Sequence, residues 1–425
     1  MPISRRDLLK RGALLGTASV LPELAAEPQR QAAQAPEAFA KLQPIRERIR
    51  PITTEEFQAR VQHAQRLMTE ARPAFAALYI TPGTSLYYYT GVSWALSERL
   101  LALIIPRTGD PAIACPAFEE GRLRELLRWP IDVLAWQEDE NPSALVAKWL
   151  AGQGVRTGRV GIEGTTRHTF FDALRRAAPS LEYTSGDPIT VGCRARKSAH
   201  ELELMQLAGT VTLKAYEAAY HALKDGMTQE DFAKMVSQAH DRLGFRGGAG
   251  VQVGQYSALP HGSATPQVIR EGTILLIDGG CSVEGYASDL SRTFVLGKAT
   301  DRMKQVFEIE QRAQKAALAA ARPGVECQAV DAAARKVITD AGFGPDYKYF
   351  THRVGHGMGM DGHEWPYLVR GNSLPLAAGM VFSDEPGIYL KGEFGVRLED
   401  DMHITETGAE LFTPTSPSLE DPFGR

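Results

Sequence analysis

Five side chains of types that hold metal ions form an ordered set in this sequence: Asp278, Asp289, His356, Glu385 and Glu399. Asp278 ends the apolar run Ile274-Leu275-Leu276-Ile277. Asp289 follows eleven residues later, past a turn punctuated by Gly279, Gly280 and Gly285. His356 stands between two glycines, Glu385 precedes Pro386-Gly387, and Glu399 lies in the alternating stretch GVRLEDDMHIT. A carboxylate at the end of a buried strand is costly unless something neutralises it. Four carboxylates and one imidazole form an oxygen-rich set, suited to manganese, cobalt or zinc rather than to a thiolate zinc site. Their four negative charges balance two divalent cations, and two metals about 3.5–4 Å apart need bridging carboxylates. The charge count favours a two-metal centre.

Taken singly, each of these residues has a plainer reading. A lone histidine beside glycine is commonly a loop or core residue, and a glutamate before Pro-Gly is commonly a turn. The stretch HRVGHGMGMDGHEWP also excludes two other sites. Tyr367 stands where a zincin helix needs its second histidine, and Gly355, Gly357 and Gly359 lack the Lys-Ser/Thr of a phosphate loop. Gly91-Val92-Ser93-Trp94-Ala95 lacks the second glycine of a nucleophile elbow. Cys115, Cys193, Cys281 and Cys327 are scattered singly, suggesting neither a zinc knuckle nor a disulfide framework. The ordered set of ligand-type residues, each expected at a strand end or glycine turn, is what the plain readings leave unexplained.

The elements that must position this set are legible as periodicity. Ile274–Phe294 reads as two antiparallel strands. Upstream, Leu202, Met205, Leu207, Ala208, Val211 and Ala215 mark a long amphipathic helix ending at Asp225-Gly226. Thr228 and Asp231 open another, closed by Gly244, and strand signals resume near Gly250. Before these, Thr53 and Glu56 form a capping box. Strand-like runs follow at Phe75–Ile80, Leu100–Ile105, Ala112–Cys115, Ile131–Trp136 and Val160–Ile162. Helical stretches at Glu119–Leu127, Pro142–Leu150 and Phe170–Ala177 alternate with several of them. That alternation predicts an α/β domain, with Tyr87, Tyr88, Tyr89 and Trp94 as packing residues. The turn-rich, aperiodic stretch Glu182–Arg196 is the expected linker.

The first residues, MPISRRDLLKRGALLGTASVLPELAA, match a twin-arginine export signal, with cleavage after Ala26 or Ala35. The apolar part is too short to span a bilayer. Glu27–Glu37 reads as a disordered lead-in, so 1–35 is set apart as signal and lead-in. The expected location is the periplasm or outside the cell, by the twin-arginine pathway. About 390 of the 425 residues remain, enough for two domains. A formal net charge of −4 offers no basic stripe for nucleic acid and no polybasic membrane anchor.

The motifs IDGG…GYASDLSRTF, HRVGHGMGMDGHE, SDEPGIY and GVRLED resemble, in order, those of the pita-bread metallopeptidases of the Xaa-Pro dipeptidase and aminopeptidase P group. The resemblance runs from about Lys197 to the C-terminus with all five metal positions present, and the preceding region resembles that group's creatinase-type N-terminal domain. It implies a creatinase/ribonuclease H-like α/β domain over 45–190 and an α+β pita-bread catalytic domain over 197–425. By position, Asp278 would be a terminal ligand of one metal, Asp289 and Glu399 would bridge both, and His356 with Glu385 would complete the other. A water bridging two metals would be the nucleophile, with Glu385 also shuttling the proton. His261 and His363 resemble the histidines that hold the scissile carbonyl and the tetrahedral centre. Arg397 resembles the arginine that grips a substrate carboxylate through bidentate bonding, and His352 would help shape the pocket. Manganese is the metal this resemblance implies, and a homodimer is the implied assembly, the small domain of one chain bordering the other's active site.

The implied reaction is hydrolysis of the Xaa-Pro bond in dipeptides. Proline's ring constrains the backbone and removes the amide proton, so this bond calls for a dedicated enzyme. The near alternative is aminopeptidase P action on Xaa-Pro-Yaa peptides. Ser383-Asp384 before Glu385 departs from the usual Thr plus apolar residue, and related amide hydrolases such as those of ectoine derivatives carry similar wording. An alternative of another class is a non-catalytic peptide-binding protein on the same fold. Relatives without metal chemistry typically lose ligands, whereas all five are present here.

Overall fold

Thr53 caps the helix Thr54–Glu70 with its side chain, while Glu56 reaches back to the Thr53 N–H. This reciprocal box satisfies two otherwise orphaned donors. The helix covers one face of a six-stranded sheet in the computed structural model, which describes residues 36–424. The twin-arginine segment and the lead-in as far as Ala35 lie outside the described residues. Glu37, where the lead-in was expected to end, begins a 3-10 turn over Glu37–Lys41 with Phe39 buried.

The first sheet contains β1 (Phe75–Ile80), β2 (Ala102–Pro106), β3 (Ala112–Pro116), β4 (Asp132–Trp136), β5 (Gly158–Ile162) and β6 (Leu181–Ser185), in the order β4-β3-β2-β1-β5-β6. Pairs β1–β2 and β2–β3 are antiparallel, and the other three are parallel. Side chains alternate between the faces. Leu78 and Ile80 join the core with Phe57, Val61 and Met68, whereas Ala77 and Tyr79 join Val146, Leu150, Phe170 and Leu174 of the helices Pro142–Gly152 and His168–Ala177. Both faces are covered, so the strands read as continuous apolar runs. Tyr88 and Tyr89 are buried in a short helix, Thr84–Thr90, and Ser93 lies exposed in an irregular segment after it.

The expected linker Glu182–Arg196 is ordered instead. It forms β6 and then the helix Asp187–Ala195, which has Pro188 in its first turn and buries Ile189, Thr190 and Cys193. Proline there is compatible with a helix start because its missing N–H is one of the orphans. Turn-forming residues had masked a helix.

Ser198 with Glu201 and Thr228 with Asp231 form the capping boxes of the helices Ala199–Ala222 and Gln229–Leu243, and Gly244 closes the latter in the left-handed conformation. These helices back a sheet of β7 (Gly247–Val253), β8 (Ile274–Val283), β9 (Tyr286–Ala287) and β10 (Leu290–Val295). Tyr216, Phe232 and Val236 pack on Val251, Leu275, Ile277 and Phe294. Burying each such large apolar side chain contributes about 1.5–3 kcal/mol.

A second layer repeats the plan with two helices that periodicity had not signalled, Asp301–Ala320 and Cys327–Asp340. They pack on β11 (Gly355–Gly357), β12 (Glu364–Leu368), β13 (Val381–Asp384), β14 (Gly387–Leu390), β15 (Phe394–Arg397), β16 (Asp400–Ile404) and β17 (Ala409–Leu411). Five of these strands form a sheet in the order β12-β11-β13-β16-β17, and β14–β15 is a separate hairpin. An isolated bridge between Ser291 and Glu399 ties the β10 strand to the β15–β16 connection. Among the described residues no helix is long and apolar enough to cross a membrane.

Candidate metal centre

Asp278 does not end its strand. It sits within β8, paired across to Gly250 on one side and Ser291 on the other. The apolar run stops there, but the backbone ladder continues to Val283. Asp289 follows β9, and its N–H donates to Asp401 Oδ2 at 2.9 Å. Gly280 allows the two segments to close up, since a Cβ there would fall 1.9 Å from the Ser288 carbonyl oxygen. His356 is the central residue of β11, its N–H bound to Ser383 Oγ at 3.0 Å. Neighbouring Gly355 leaves room for the Ser383 carbonyl, which a Cβ would meet at 2.0 Å. Glu385 follows β13, with its N–H on the Val354 carbonyl at 2.8 Å, and Glu399 lies between β15 and β16 with its N–H on Ser291 O at 3.2 Å.

All nine residues singled out in the sequence line one cavity of about 360 Å³: the five above, His261, His352, His363 and Arg397. Three overlapping groups bring potential ligand atoms within 4.8 Å of one another: Asp278, Asp289 and Glu399; His356, Glu385 and Glu399; Asp289, His356 and His363. Asp289, Glu399 and His356 each belong to two groups, and of these only the two carboxylates have a second oxygen to share. A larger hollow of about 630 Å³ beside Arg128 and Trp129 contains no histidine and no part of this set.

Other polar residues sequence reasoning had passed over hold this set. Ser291 Oγ lies 2.6 Å from Glu399 Oε2, 3.0 Å from Asp278 Oδ1 and 2.9 Å from Arg397 Nε. Arg397 also reaches Asp278 Oδ2 at 2.7 Å, Tyr389 Oη at 3.0 Å and Pro260 O at 3.2 Å. Every guanidinium nitrogen is therefore engaged within the wall, rather than presented as a free fork for a carboxylate. Behind it, Arg292 binds the carbonyls of Ser291 and Glu399 and pairs with Asp400 at 2.7 Å, both side chains fully buried. The serine of the divergent Ser383-Asp384 pair serves the site directly, with Oγ 3.2 Å from Glu385 Oε1. Asp384 is buried with both carboxylate oxygens unpartnered among the described residues. Burial, then Asp400 and Glu310, push its carboxyl well above the usual range.

Residues 203–406 match the metallopeptidase family M24, and residues 60–196 match the creatinase/prolidase N-terminal domain. The Xaa-Pro dipeptidase of Lactobacillus delbrueckii subsp. lactis is 34% identical over 355 residues, covering 80% of this chain and 94% of that protein. The chain belongs to metallopeptidase family M24. Solved structures agree with this membership. The dipeptidase PepE of Mycobacterium ulcerans superposes with a TM-score of 0.79 at 34% identity, covering 87% of this chain and 99% of that one. The dipeptidase of Pyrococcus horikoshii OT3 gives 0.77 at 31% identity, covering 85% and 99%. The fold is thus a creatinase-type α/β domain followed by the pita-bread catalytic domain, and this M24 protein is a metallopeptidase dependent on divalent metal ions.

The donor set of this M24 site fits such ions. His356 Nδ1 lies 3.1 Å from the Gly357 carbonyl, an acceptor, so Nδ1 carries the proton and Nε2 presents its lone pair. That lone pair points toward Glu385 Oε1 at 3.2 Å, a repulsive arrangement unless a proton or a metal ion lies between them. A backbone carbonyl fixing the tautomer of a ligand histidine is a common second layer of metal sites. Burial, then the neighbouring Asp278, Asp401 and Glu385, push the Asp289 carboxyl well above its ordinary range. Burial, then Asp289, Glu385 and Asp278, do the same to Glu399. Such crowding of acids in low dielectric is relieved by bound cations. Burial would raise Glu385 too, but where a proton lies between it and His356 that hydrogen bond, with Arg397 nearby, outweighs burial and holds this carboxyl at about 2.

Two of the three remaining pocket histidines, His352 and His363, have distinct surroundings. His352 Nδ1 donates to the Arg353 carbonyl at 2.8 Å, so Nε2 accepts from Tyr389 Oη at 2.7 Å, and burial keeps the ring neutral. His363 stacks on His356, centroids 3.7 Å apart, with Nδ1 3.1 Å from Arg353 Nη2. His363 precedes the buried Glu364, which anchors the loop by a 3.2 Å contact with Lys197 Nζ.

Proposed function

We propose that this protein hydrolyses the Xaa-Pro bond of dipeptides, with Asp278, Asp289, His356, Glu385 and Glu399 as the metal ligands. The observation that carries the reading is the gathering of all five side chains, in overlapping groups, at one cavity also lined by His261 and His363. The 34% identical Lactobacillus relative, an Xaa-Pro dipeptidase, supports the substrate class.

Divalent cations in this site would supply Lewis acidity, lowering the pKa of water and polarising a carbonyl. Asp289 and Glu399, each shared by two ligand groups, are suited to bridging, and Asp278 to a terminal position. Glu385 accepts the proton of the attacking water on its carboxylate and delivers it to the proline nitrogen as the bond breaks. The proline nitrogen has no hydrogen of its own and leaves as an amine only after protonation. His363 accepts from the permanently charged Arg353 at Nδ1, which puts its own proton on Nε2 and makes that atom a donor for the scissile carbonyl. His261 lines the same cavity and is suited to the developing tetrahedral centre.

Manganese is the proposed metal, chosen by family resemblance among ions that suit oxygen-rich ligands. A homodimer is proposed on the same ground, and the exposed Phe118 and Leu96 offer apolar surface for it. Light scattering checks the assembly, and a monomer would reject it. Export through the twin-arginine route is proposed from Arg5-Arg6 and the apolar stretch behind them. Loss of periplasmic protein on changing both arginines to lysine would support it.

The deciding experiment measures proline release from Ala-Pro, Leu-Pro and Gly-Pro beside Xaa-Pro-Yaa tripeptides. The protein is stripped of metal, reloaded with manganese and compared with a chelated control. Metal-dependent cleavage of the dipeptides is expected. Cleavage of the tripeptides alone would move the protein to aminopeptidase P activity.

A further inference from the structure

Arg353 lines the metal-centre cavity three residues before His356 and belongs to none of the ligand groups. Its guanidinium lies 4.0 Å from the centroid of the Tyr367 ring, and Nη2 reaches His363 Nδ1 at 3.1 Å. Nε and Nη1 make no hydrogen bond, and no carboxylate pairs with this side chain, among the described residues. Arg397, the other guanidinium of the cavity, is bound at each nitrogen by Asp278, Ser291, Tyr389 and Pro260. An incoming dipeptide carries its carboxylate directly after the scissile bond, toward a wall rich in like-charged Asp278, Glu385 and Glu399. It needs a fixed cation there, and Arg353 is the one with donors to give.

We propose that Arg353, rather than Arg397, binds the C-terminal carboxylate of the dipeptide substrate. The inference rests on the dipeptidase reading above and names the anchor of that same site. A planar, permanently charged fork matches carboxylate geometry. Stacking on Tyr367 restrains the side chain before substrate arrives, which reduces the ordering cost of binding. The contact with His363 links the carboxylate anchor to the imidazole facing the scissile carbonyl, so a substrate seated on one is in register with the other. A longer peptide presents an amide at this point and forgoes the ion pair.

The test compares wild type, Arg353→Lys and Arg353→Met, each loaded with manganese, on Ala-Pro and on Ala-prolinamide, which lacks the carboxylate. Any disturbance of His363 affects both substrates, so the ratio of their kcat/KM values isolates the carboxylate contact. That ratio is expected to fall by about tenfold to a hundredfold in Arg353→Met, the range of a lost charged hydrogen bond, and by less in Arg353→Lys. Calorimetry on the metal-free proteins gives a second readout. Wild type is expected to bind proline in preference to prolinamide, and Arg353→Met to lose that preference. An unchanged ratio in both variants, with wild type cleaving Ala-Pro, would overturn the assignment. Should metal-loaded wild type release no proline at all, the dipeptidase reading falls. The calorimetric preference then decides the role of Arg353 by itself.

Discussion

The Ser291 hydroxyl lies 2.6 Å from Glu399 Oε2, and this contact joins the two halves of the catalytic domain at the point where their proposed metal ligands meet. The same oxygen accepts from Arg397 Nε, so its single proton is left for Glu399 or for Asp278. Replacing Ser291 by alanine removes the orienting contact without removing a ligand. Metal affinity is expected to fall about tenfold to a hundredfold, the usual scale for partners behind a metal ligand. Competition with a calibrated chelator measures it, and an unaltered affinity would show the contact to be idle.

Asp289→Asn keeps the size of the side chain but deletes one charge from a carboxylate shared by two ligand groups. Turnover should drop by more than about a hundredfold, beyond the scale of partner mutations, with the circular dichroism spectrum unchanged. Wild-type activity in this variant would remove Asp289 from the metal set.

Arg292 and Asp400 form an ion pair with no exposed surface on either side chain, and Arg292 also holds the Ser291 and Glu399 carbonyls. Arg292→Leu strands a buried carboxylate. The expected loss is about 3–5 kcal/mol of unfolding free energy in urea denaturation. Adding Asp400→Leu should recover part of that loss. A cost well under 1 kcal/mol for the single change would contradict the account.

His240 is buried, with Nδ1 donating to the Val236 carbonyl at 2.9 Å. Burial lowers its pKa below the ordinary 6.5, so the unfolded chain binds the proton more readily than the folded one. The stability linked to neutral His240 is fully present above pH 6.5 and is lost as pH falls from there toward the lower folded value. One such group changes stability by at most about 1.4 kcal/mol per pH unit. Melting curves between pH 8 and pH 5 should therefore fall more steeply for wild type than for His240→Leu. Equal slopes would exclude His240 as a contributor.

Where pattern and physics coincide, the fold was readable in advance. Thr53 with Glu56 and Thr228 with Asp231 start helices as expected, and the strand Phe75–Ile80 occupies the predicted residues. Misreadings arose where local chemistry points two ways. Gly186 and Pro188 look like a linker, yet they open a helix whose apolar residues are buried. Asp278 looks like a strand end because the apolar run stops there. The backbone pairing that carries the strand further is indifferent to that side chain's polarity.

The sequence by itself determined the chemistry available to this protein: its carboxylates and imidazoles, their order along the chain, and the family that order resembles. Residue types and local spacing suffice for that. Only the tertiary structure decided which polar groups engage one another. Ser291 and Arg292 became parts of the candidate metal centre because strands more than a hundred residues apart meet there, as Ser291 meets Glu399, and Ser383 joined it across the neighbouring strand through the His356 N–H. Arg397 was turned inward by Asp278 and Tyr389, while Arg353 kept unpaired donors in the cavity. Hydrogen bonds and ion pairs act over a few ångströms in space, and separation along the chain does not encode that distance.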